Sequence, residues 1–217
     1  MSGAIRRYTE LPFLLDFLRT REIALLSPSS WDDKNDAHYL DAYAKAKAVA
    51  KTESESASPG AVRALCMTEA SETYHHWKVF SSGSSGMCIV FKKDRLLQWA
   101  TAQPMLTAGP VTYKTLNELR AEGPSLDELP FLKRQAFKDE MEFRLFAMPE
   151  GVAAGPLRLA MPLLVIDRIV MNPWLPKSVA DHVKATLQSI EGCKTLKVYR
   201  STLVDNEAWK RFAVVGS

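Results

Sequence analysis

The sequence predicts an α+β fold, with one mixed β-sheet and helices packed around it in a single domain. Short apolar segments alternate with helical ones along the 217 residues, without the regular spacing of a doubly wound parallel sheet. The length suits one domain, and 47% hydrophobic against 24% charged residues is typical of a chain that buries a core. We therefore assign residues 1–217 to one domain.

Composition limits the expected location and partners. A net charge of +3 is too small to indicate a nucleic-acid partner. No apolar run reaches the length of a membrane span, and the first residues lack the apolar core of a signal peptide. Three irregularly spaced cysteines suit free thiols in a reducing compartment. These observations predict a cytoplasmic protein without a membrane partner.

The first part of the chain predicts two strands and two helices. Residues 4–8 form the first strand, with Thr9 as the N-cap of the following amphipathic helix. Residues 22–27 form a short apolar strand, and the alanine-rich segment 41–51 is helical. Residues 53–60 are polar and contain Pro-Gly, which predicts a mobile loop.

The middle of the chain predicts a strand, a helix and a second strand. Residues 61–68 are apolar enough for a buried strand, and Ser71 is the expected N-cap of the next helix. Residues 81–86 (SSGSSG) lie between a helix and a strand, the reverse of a phosphate-binding loop, and lack its lysine. We expect a flexible connector there, followed by a buried strand at 87–91.

The later segments continue the mixed pattern. Helices are expected at 94–100, 117–121, 126–138 and 176–192, with a last helical turn at 206–212, and strands at 111–113, 157–171 and 195–200.

Residues 131–146 carry the main chemical signal. The segment begins with helical spacing, which places Lys133 on the wet side, and changes to a period of two at Glu140. Alternation then puts the charged residues Glu140, Glu142 and Arg144 on one face of a strand. Two carboxylates beside a guanidinium suit a polar or cationic substrate. The alternative is a solvated sheet face on which the arginine balances the acids.

An acidic loop follows Trp31. Asp33 and Asp36 could bind a divalent cation together with Glu140 and Glu142, as in nucleases, although such side chains commonly hold turns. The role of this loop, which includes Asp32, is left open. The two adjacent histidines at 75 and 76 point apart on a helix, and the cysteines show no zinc spacing. We expect no metal site.

Four landmarks occur in a fixed order along the chain. They are an aromatic strand and ALLSP (24–28), the loop WDDKND (31–36), a cysteine strand and tryptophan helix leading to GMCIVF (86–91), and EMEFR (140–144). In this order the chain resembles a widespread bacterial and phage family of domains of unknown function. That family has aromatic-Asn-Asp-Pro-x-Glu where this chain has WDDKND, so Asp32, Lys34 and Asp36 depart from its pattern.

The layout of this family is similar to that of ADP-ribosyltransferases, which implies NAD as a substrate. By this resemblance, Glu142 would bond the ribose and stabilise an oxocarbenium-like transition state, while Glu140 would orient or deprotonate the acceptor. Arg7 would hold a phosphate or ribose, Thr68 or Ser71 would support the nicotinamide pocket, and Tyr74 or Trp77 would stack. The full set of expected NAD-binding residues is Arg7, Tyr8, Thr68, Ser71, Tyr74, Trp77 and Arg144.

The resemblance implies an ADP-ribosyltransferase or NAD glycohydrolase that acts as a toxin or antiphage effector, with a nucleotide as its small-molecule partner and an acceptor left open. Two other functions remain alternatives. One is a non-catalytic binding or regulatory domain in which the acids are structural. The other is a metal-dependent nuclease that uses the acidic loop.

Overall fold

The computed structural model describes residues 3–52, 61–81, 83–149 and 155–213. The strands in chain order are β1 Ala4–Glu10, β2 Glu22–Leu25, β3 Arg63–Thr68, β4 Gly86–Lys92, β5 Leu106–Pro110, β6 Thr112–Lys114, β7 Leu132–Arg134, β8 Glu142–Ala147, β9 Leu157–Ala160, β10 Ile166–Met171 and β11 Val198–Arg200. The helices are α1 Leu11–Thr20, α2 Lys34–Thr52, α3 Tyr74–Phe80, α4 Lys93–Thr101, α5 Leu116–Ala121, α6 Lys177–Ser189 and α7 Glu207–Lys210.

The strands confirm the predicted α+β fold. Seven of them form one sheet in the order β11-β10-β4-β1-β3-β8-β5, and two small sheets pair β2 with β9 and β6 with β7. The large sheet is mixed, because β10 and β11 run parallel while its other neighbours are antiparallel. None of the helices in the described ranges is long and apolar enough to cross a membrane.

One face of the large sheet carries the main hydrophobic core. Helices α1, α4 and α6 pack there with their apolar stripes, through buried residues such as Leu18, Leu96 and Leu187. Alternate strand residues meet them, among them Ile89 and Leu145. Complete burial of each such side chain contributes about 1.5–3 kcal/mol, so this face provides most of the hydrophobic stability.

The opposite face is divided. A small cluster of Tyr8, Trp77, Cys88 and Val90 lies under α3, and another of Leu40, Val62 and Phe146 lies under α2. Alternation along β8 places Glu142 and Arg144 on this face, between the two clusters. The charged residues therefore occupy a buried strip between two apolar patches.

The sheet opens beside this strip. Strand β1 pairs with β4 along its whole length, but its pairing with β3 in the described chain is at Arg6 and Thr68. Further along β3, Ala64 instead exchanges two backbone hydrogen bonds with Leu26, at 2.9 and 2.8 Å. Backbone groups of alternate residues point to the same side of a strand, so the carbonyl of Cys66 faces the gap between β1 and β3.

The segment 131–146 differs from its prediction in the first half. A 3-10 helix ends at Phe131, strand β7 pairs with β6, and a second 3-10 helix covers Gln135–Glu140. The segment with helical spacing is too short to form a stable α-helix, and its residues pair with β6 instead. Met141 then takes a left-handed conformation, with φ 43°, so the strand begins at Glu142 and not at Glu140.

Two predicted helix caps lie elsewhere. Helix α1 is preceded by Glu10 and not by Thr9. Helix α3 is capped by Thr73, whose hydroxyl accepts a hydrogen bond from the backbone N–H of His76 at 3.1 Å, and Ser71 lies exposed before it. Thr73 is preferred because it stands three residues before that N–H, the spacing an N-cap requires.

The two predicted loops remain predictions. Residues 53–60 lie outside the described part of the chain. In the described part of 81–86, the side-chain amide of buried Asn172 donates to the hydroxyl of Ser81 at 3.3 Å and to the carbonyl of Gly83 at 3.0 Å. Gly83 has φ 63°, a conformation that glycine adopts without strain.

Candidate active site

Glu142 lies at the centre of the charged strip and is only 3% exposed. Its Oε1 accepts a hydrogen bond from Arg144 Nε at 2.8 Å, and its Oε2 accepts one from Lys133 Nζ at 3.1 Å. Its backbone N–H donates to the hydroxyl of Tyr113 at 2.7 Å. Each carboxylate oxygen therefore binds a cation, as a buried carboxylate requires.

Arg144 is fully buried and fixes one side of Glu142. Its Nη1 and Nη2 donate to the two carboxylate oxygens of Asp36, at 2.9 and 2.6 Å, and Nη1 also donates to the carbonyl of Pro130 at 2.8 Å. The guanidinium lies 5.3 Å from the ring centre of Trp31. With these contacts satisfied, the arginine is a rigid clamp between Asp36 and Glu142.

Lys133 joins the two glutamates. Its ammonium lies 2.6 Å from Glu140 Oε2 and 3.1 Å from Glu142 Oε2, and 4.8 Å from the ring centre of Phe137. The prediction that Lys133 lies on a wet helical face is wrong, because it belongs to β7 and its side chain is 9% exposed. The interpretation of Glu142 and Arg144 as a solvated sheet face is also wrong, because both are buried and pair with Lys133 of β7 and Asp36 of α2.

The two glutamates have pKa values shifted in opposite directions. Burial opposes ionisation of Glu142, but the charges and hydrogen bonds of Arg144 and Lys133 together hold its pKa below the ordinary range. Burial raises the pKa of Glu140, although Lys133 opposes the rise. Two carboxylates in contact with the same ammonium thus have different proton affinities, the arrangement that separates an ionised carboxylate from a proton acceptor.

Arg7 fills the gap between β1 and β3. Its Nη1 donates to the carbonyl of Cys66 at 2.8 Å. Burial lowers the pKa of Arg7, and the negative charge of Glu142 opposes this effect. Burial raises the pKa of the Cys66 thiol, which makes it a poor nucleophile. The contact with the Cys66 carbonyl therefore fixes the guanidinium of Arg7 beside β3.

The other predicted NAD-binding residues lie around this strip. Thr68 is paired with Glu142 across β3 and β8, and its hydroxyl donates to the carbonyl of Glu140 at 2.5 Å. Ser71 is exposed in the segment before α3. Tyr74, on α3, is 50% exposed and contacts Trp174 edge-on at 5.4 Å between ring centres.

Tyr8 and Trp77 contact each other edge-on, with ring centres 4.9 Å apart, and both are buried. The indole of Trp77 donates to Glu72 Oε1 at 2.7 Å, and Tyr8 stacks on His76. Burial lowers the pKa of His76, which a hydrogen bond with the backbone of Glu140 opposes. The aromatic cluster thus supports the Glu140 segment from the α3 side.

Sequence reasoning did not identify Lys133, Trp31 or Tyr113 as members of the site, and it placed Asp36 only in a metal-binding alternative. A buried strand arginine needs a carboxylate partner, and Asp36 is the fully buried member of the acidic loop. The need of Arg144 for a carboxylate partner was therefore the sequence signal that could have identified Asp36 as part of the site. No local pattern indicated Lys133, because its partners depend on the β6–β7 pairing.

The acidic loop is used for structure. Asp33 Oδ1 accepts hydrogen bonds from the backbone N–H groups of Asn35 and Asp36, at 3.0 and 3.4 Å, at the start of α2. Asp36 is held by Arg144. In the described ranges no cluster of three or more His, Cys, Asp or Glu residues is arranged to hold a metal ion.

Two solved structures of Thermus sp. 2.9 DarT are similar to this chain. The complex with ADP-ribosylated ssDNA has a TM-score of 0.47 at 10% identity, covering 92% of this chain and 94% of that one. The complex with NAD+ has a TM-score of 0.47 at 11% identity, covering 92% of this chain and 96% of that one. A likeness at this level carries no argument about function. No family model and no curated protein sequence matches the chain, so the resemblance to a domain-of-unknown-function family stays a prediction.

Proposed function

We propose that the protein cleaves NAD at its nicotinamide–ribose bond, as an ADP-ribosyltransferase or an NAD glycohydrolase. The observation that carries the proposal is the carboxylate pair Glu142 and Glu140, which shares Lys133 and has pKa values shifted in opposite directions. Such a pair provides an ionised carboxylate and a proton acceptor at one position.

Each glutamate has a role in the proposed reaction. When the bond from ribose C1′ to nicotinamide breaks, the electron pair leaves with nicotinamide and positive charge develops on the sugar. An ionised Glu142 stabilises this charge more in the transition state than in the substrate. The oxygen or nitrogen of the acceptor then bonds to C1′ and gives its proton to Glu140, whose raised pKa suits a base.

The remaining predicted residues would bind the substrate. Arg7 donates to the Cys66 carbonyl in the gap between β1 and β3, where its guanidinium would suit the pyrophosphate. Thr68 and Ser71 would border the nicotinamide, and Tyr74 has an exposed ring for stacking. Tyr8 and Trp77 would support the binding site without stacking on the substrate, because their rings are buried against each other. Arg144 would hold Glu142 in place.

The identity of the acceptor is to be determined by experiment. Water as acceptor makes the protein a glycohydrolase, and a hydroxyl or amide of a macromolecule makes it a transferase. The DarT of the comparison was solved with ADP-ribosylated ssDNA, so single-stranded DNA is included among the acceptors to be assayed. A toxin or antiphage role would follow from depletion of NAD or modification of such an acceptor.

The two alternatives make different demands on the site. A nuclease would need free carboxylate oxygens for a metal, whereas the oxygens of Asp36 and Glu142 bind Arg144 and Lys133. A non-catalytic domain would use the same cluster for stability alone, and substitutions would then change stability and nothing else.

The proposal is tested by incubating the purified protein with NAD and measuring released nicotinamide, with and without single-stranded DNA and protein acceptors. We expect nicotinamide release that continues in EDTA, and growth arrest when the wild-type chain is expressed. No release under any of these conditions, together with no effect of NAD on the melting temperature, would rule out NAD as the substrate.

A further inference from the structure

Glu142 has both side-chain oxygens occupied. Arg144 Nε lies 2.8 Å from Oε1, and Lys133 Nζ lies 3.1 Å from Oε2. The side chain is also 3% exposed. A substrate that must contact this carboxylate therefore has to displace one of the two cations.

Arg144 is not the cation that can leave. It is fully buried, it binds both oxygens of Asp36, and it donates to the carbonyl of Pro130. Moving it would leave Asp36 unpaired in the protein interior and remove one of the two cations that bind Glu142, which is strongly unfavourable. Its position on β8, between β3 and β5, also fixes its backbone.

Lys133 makes fewer polar contacts than Arg144. Both ion pairs of its single ammonium are with the glutamate pair, and the Glu140 partner is 21% exposed, so one end of the contact reaches the surface. Strand β7 has three residues and lies outside the large sheet. The 3-10 helix that follows ends at Glu140, and the next residue, Met141, has a left-handed conformation that is unfavourable for a residue other than glycine.

We propose that Lys133 is the gate of this site: its ammonium occupies Glu142 until the positively charged pyridinium–ribose end of a substrate takes its place. The identity of the substrate rests on the proposed function. The exchange keeps the charge balanced, because one cation leaves the carboxylate pair as another arrives and the released ammonium is hydrated. A substrate lacking that positive charge would not open the gate.

The gate is tested in the wild-type protein with 1-methylnicotinamide, the pyridinium cation methylated at the ring nitrogen, which lacks the ADP-ribose part. Lysine acylation is measured by mass spectrometry at increasing concentrations of this cation. We expect acylation of Lys133 to rise about threefold or more as the population shifts, while Lys114, paired with Glu128 at the surface, does not change. Unchanged acylation of Lys133 up to the solubility limit would overturn the proposal.

A second experiment compares NAD cleavage by Lys133→Gln and Lys133→Arg, after both variants are shown to be folded by circular dichroism. Removing the competing ammonium should lower KM for NAD about tenfold with a smaller change in kcat, and arginine should restore the wild-type KM. A purely structural lysine would instead lower kcat and the melting temperature without lowering KM. If the wild type cleaves no NAD, the proposed function fails, and the acylation experiment still decides the gate.

Discussion

Arg144 and Asp36 are 108 residues apart in the chain and form a bidentate ion pair in the protein interior, with N–O distances of 2.9 and 2.6 Å. The pair connects the start of α2 to the middle of β8 and leaves Arg144 Nε for Glu142. The geometry of the proposed catalytic carboxylate therefore depends on a residue from the other half of the chain.

Asp36→Asn should destabilise the fold by about 3–5 kcal/mol, because the buried guanidinium of Arg144 loses the charge of its bidentate partner. Urea unfolding followed by circular dichroism measures this change. The matched control is Asp41→Asn on the same helix, which breaks the 2.6 Å pair with Lys45 at the surface. We expect about 0–1 kcal/mol there. Equal losses in the two variants would show that burial of the Asp36 pair has no energetic consequence.

Glu142 should make stability depend on pH. Its pKa is lower in the folded chain than in the unfolded chain, where it is about 4.3, so its ion pairs stabilise the fold above that pH. This contribution is lost as pH falls through the lowered folded-state value. We expect the free energy of unfolding of the wild type to fall more steeply below about pH 4 than that of Glu142→Gln. Parallel pH profiles would contradict the lowered pKa.

Glu140 should control the acid side of the rate profile. A base must be deprotonated, and the raised pKa of Glu140 means that transfer to the acceptor is lost at a higher pH than for an ordinary glutamate. We expect kcat to rise with pH through that value. Glu140→Gln should remove this limb and lower kcat about 10²–10⁴-fold. If the limb persists in the variant, another group is the base.

Arg7→Gln should weaken NAD binding. It removes the guanidinium from the gap beside Cys66, and we expect KM for NAD to rise about tenfold or more, since a charge-assisted contact to phosphate is lost. The neighbouring Arg6→Gln is the control, because Arg6 donates instead to the carbonyl of Ala70 at 2.7 Å. A larger effect at Arg6 would assign the pyrophosphate to that residue.

Much of the fold could be predicted from local patterns. The alternation of Glu142, Phe143, Arg144 and Leu145 identified β8 and its two faces, since a period of two is read directly from adjacent residues. The apolar runs at β3 and β4 and the stripe of α6 were likewise local. The start of the strand was two residues early, because Met141 takes a left-handed conformation that no pattern indicated.

Less of the candidate site could be predicted from the sequence. Glu140, Glu142 and Arg144 were identified because they are adjacent, but their environment depends on contacts from distant segments. Lys133 was assigned to a helix because its spacing is helical, whereas pairing of β7 with β6 turned it toward the glutamates. The separation of β1 from β3 decides whether Arg6 or Arg7 enters the gap, and this separation is a property of the whole sheet.

The most direct test of the central claim is nicotinamide release by Glu142→Gln compared with Asp36→Asn. Both variants replace a buried carboxylate that binds Arg144, so they disturb the fold in similar ways. At a temperature where both are folded, the claim predicts that Glu142→Gln is slower than Asp36→Asn by about 10²–10³-fold, the loss expected for a group that stabilises transition-state charge. A rate for Glu142→Gln equal to that of the wild type would contradict it and favour a structural cluster.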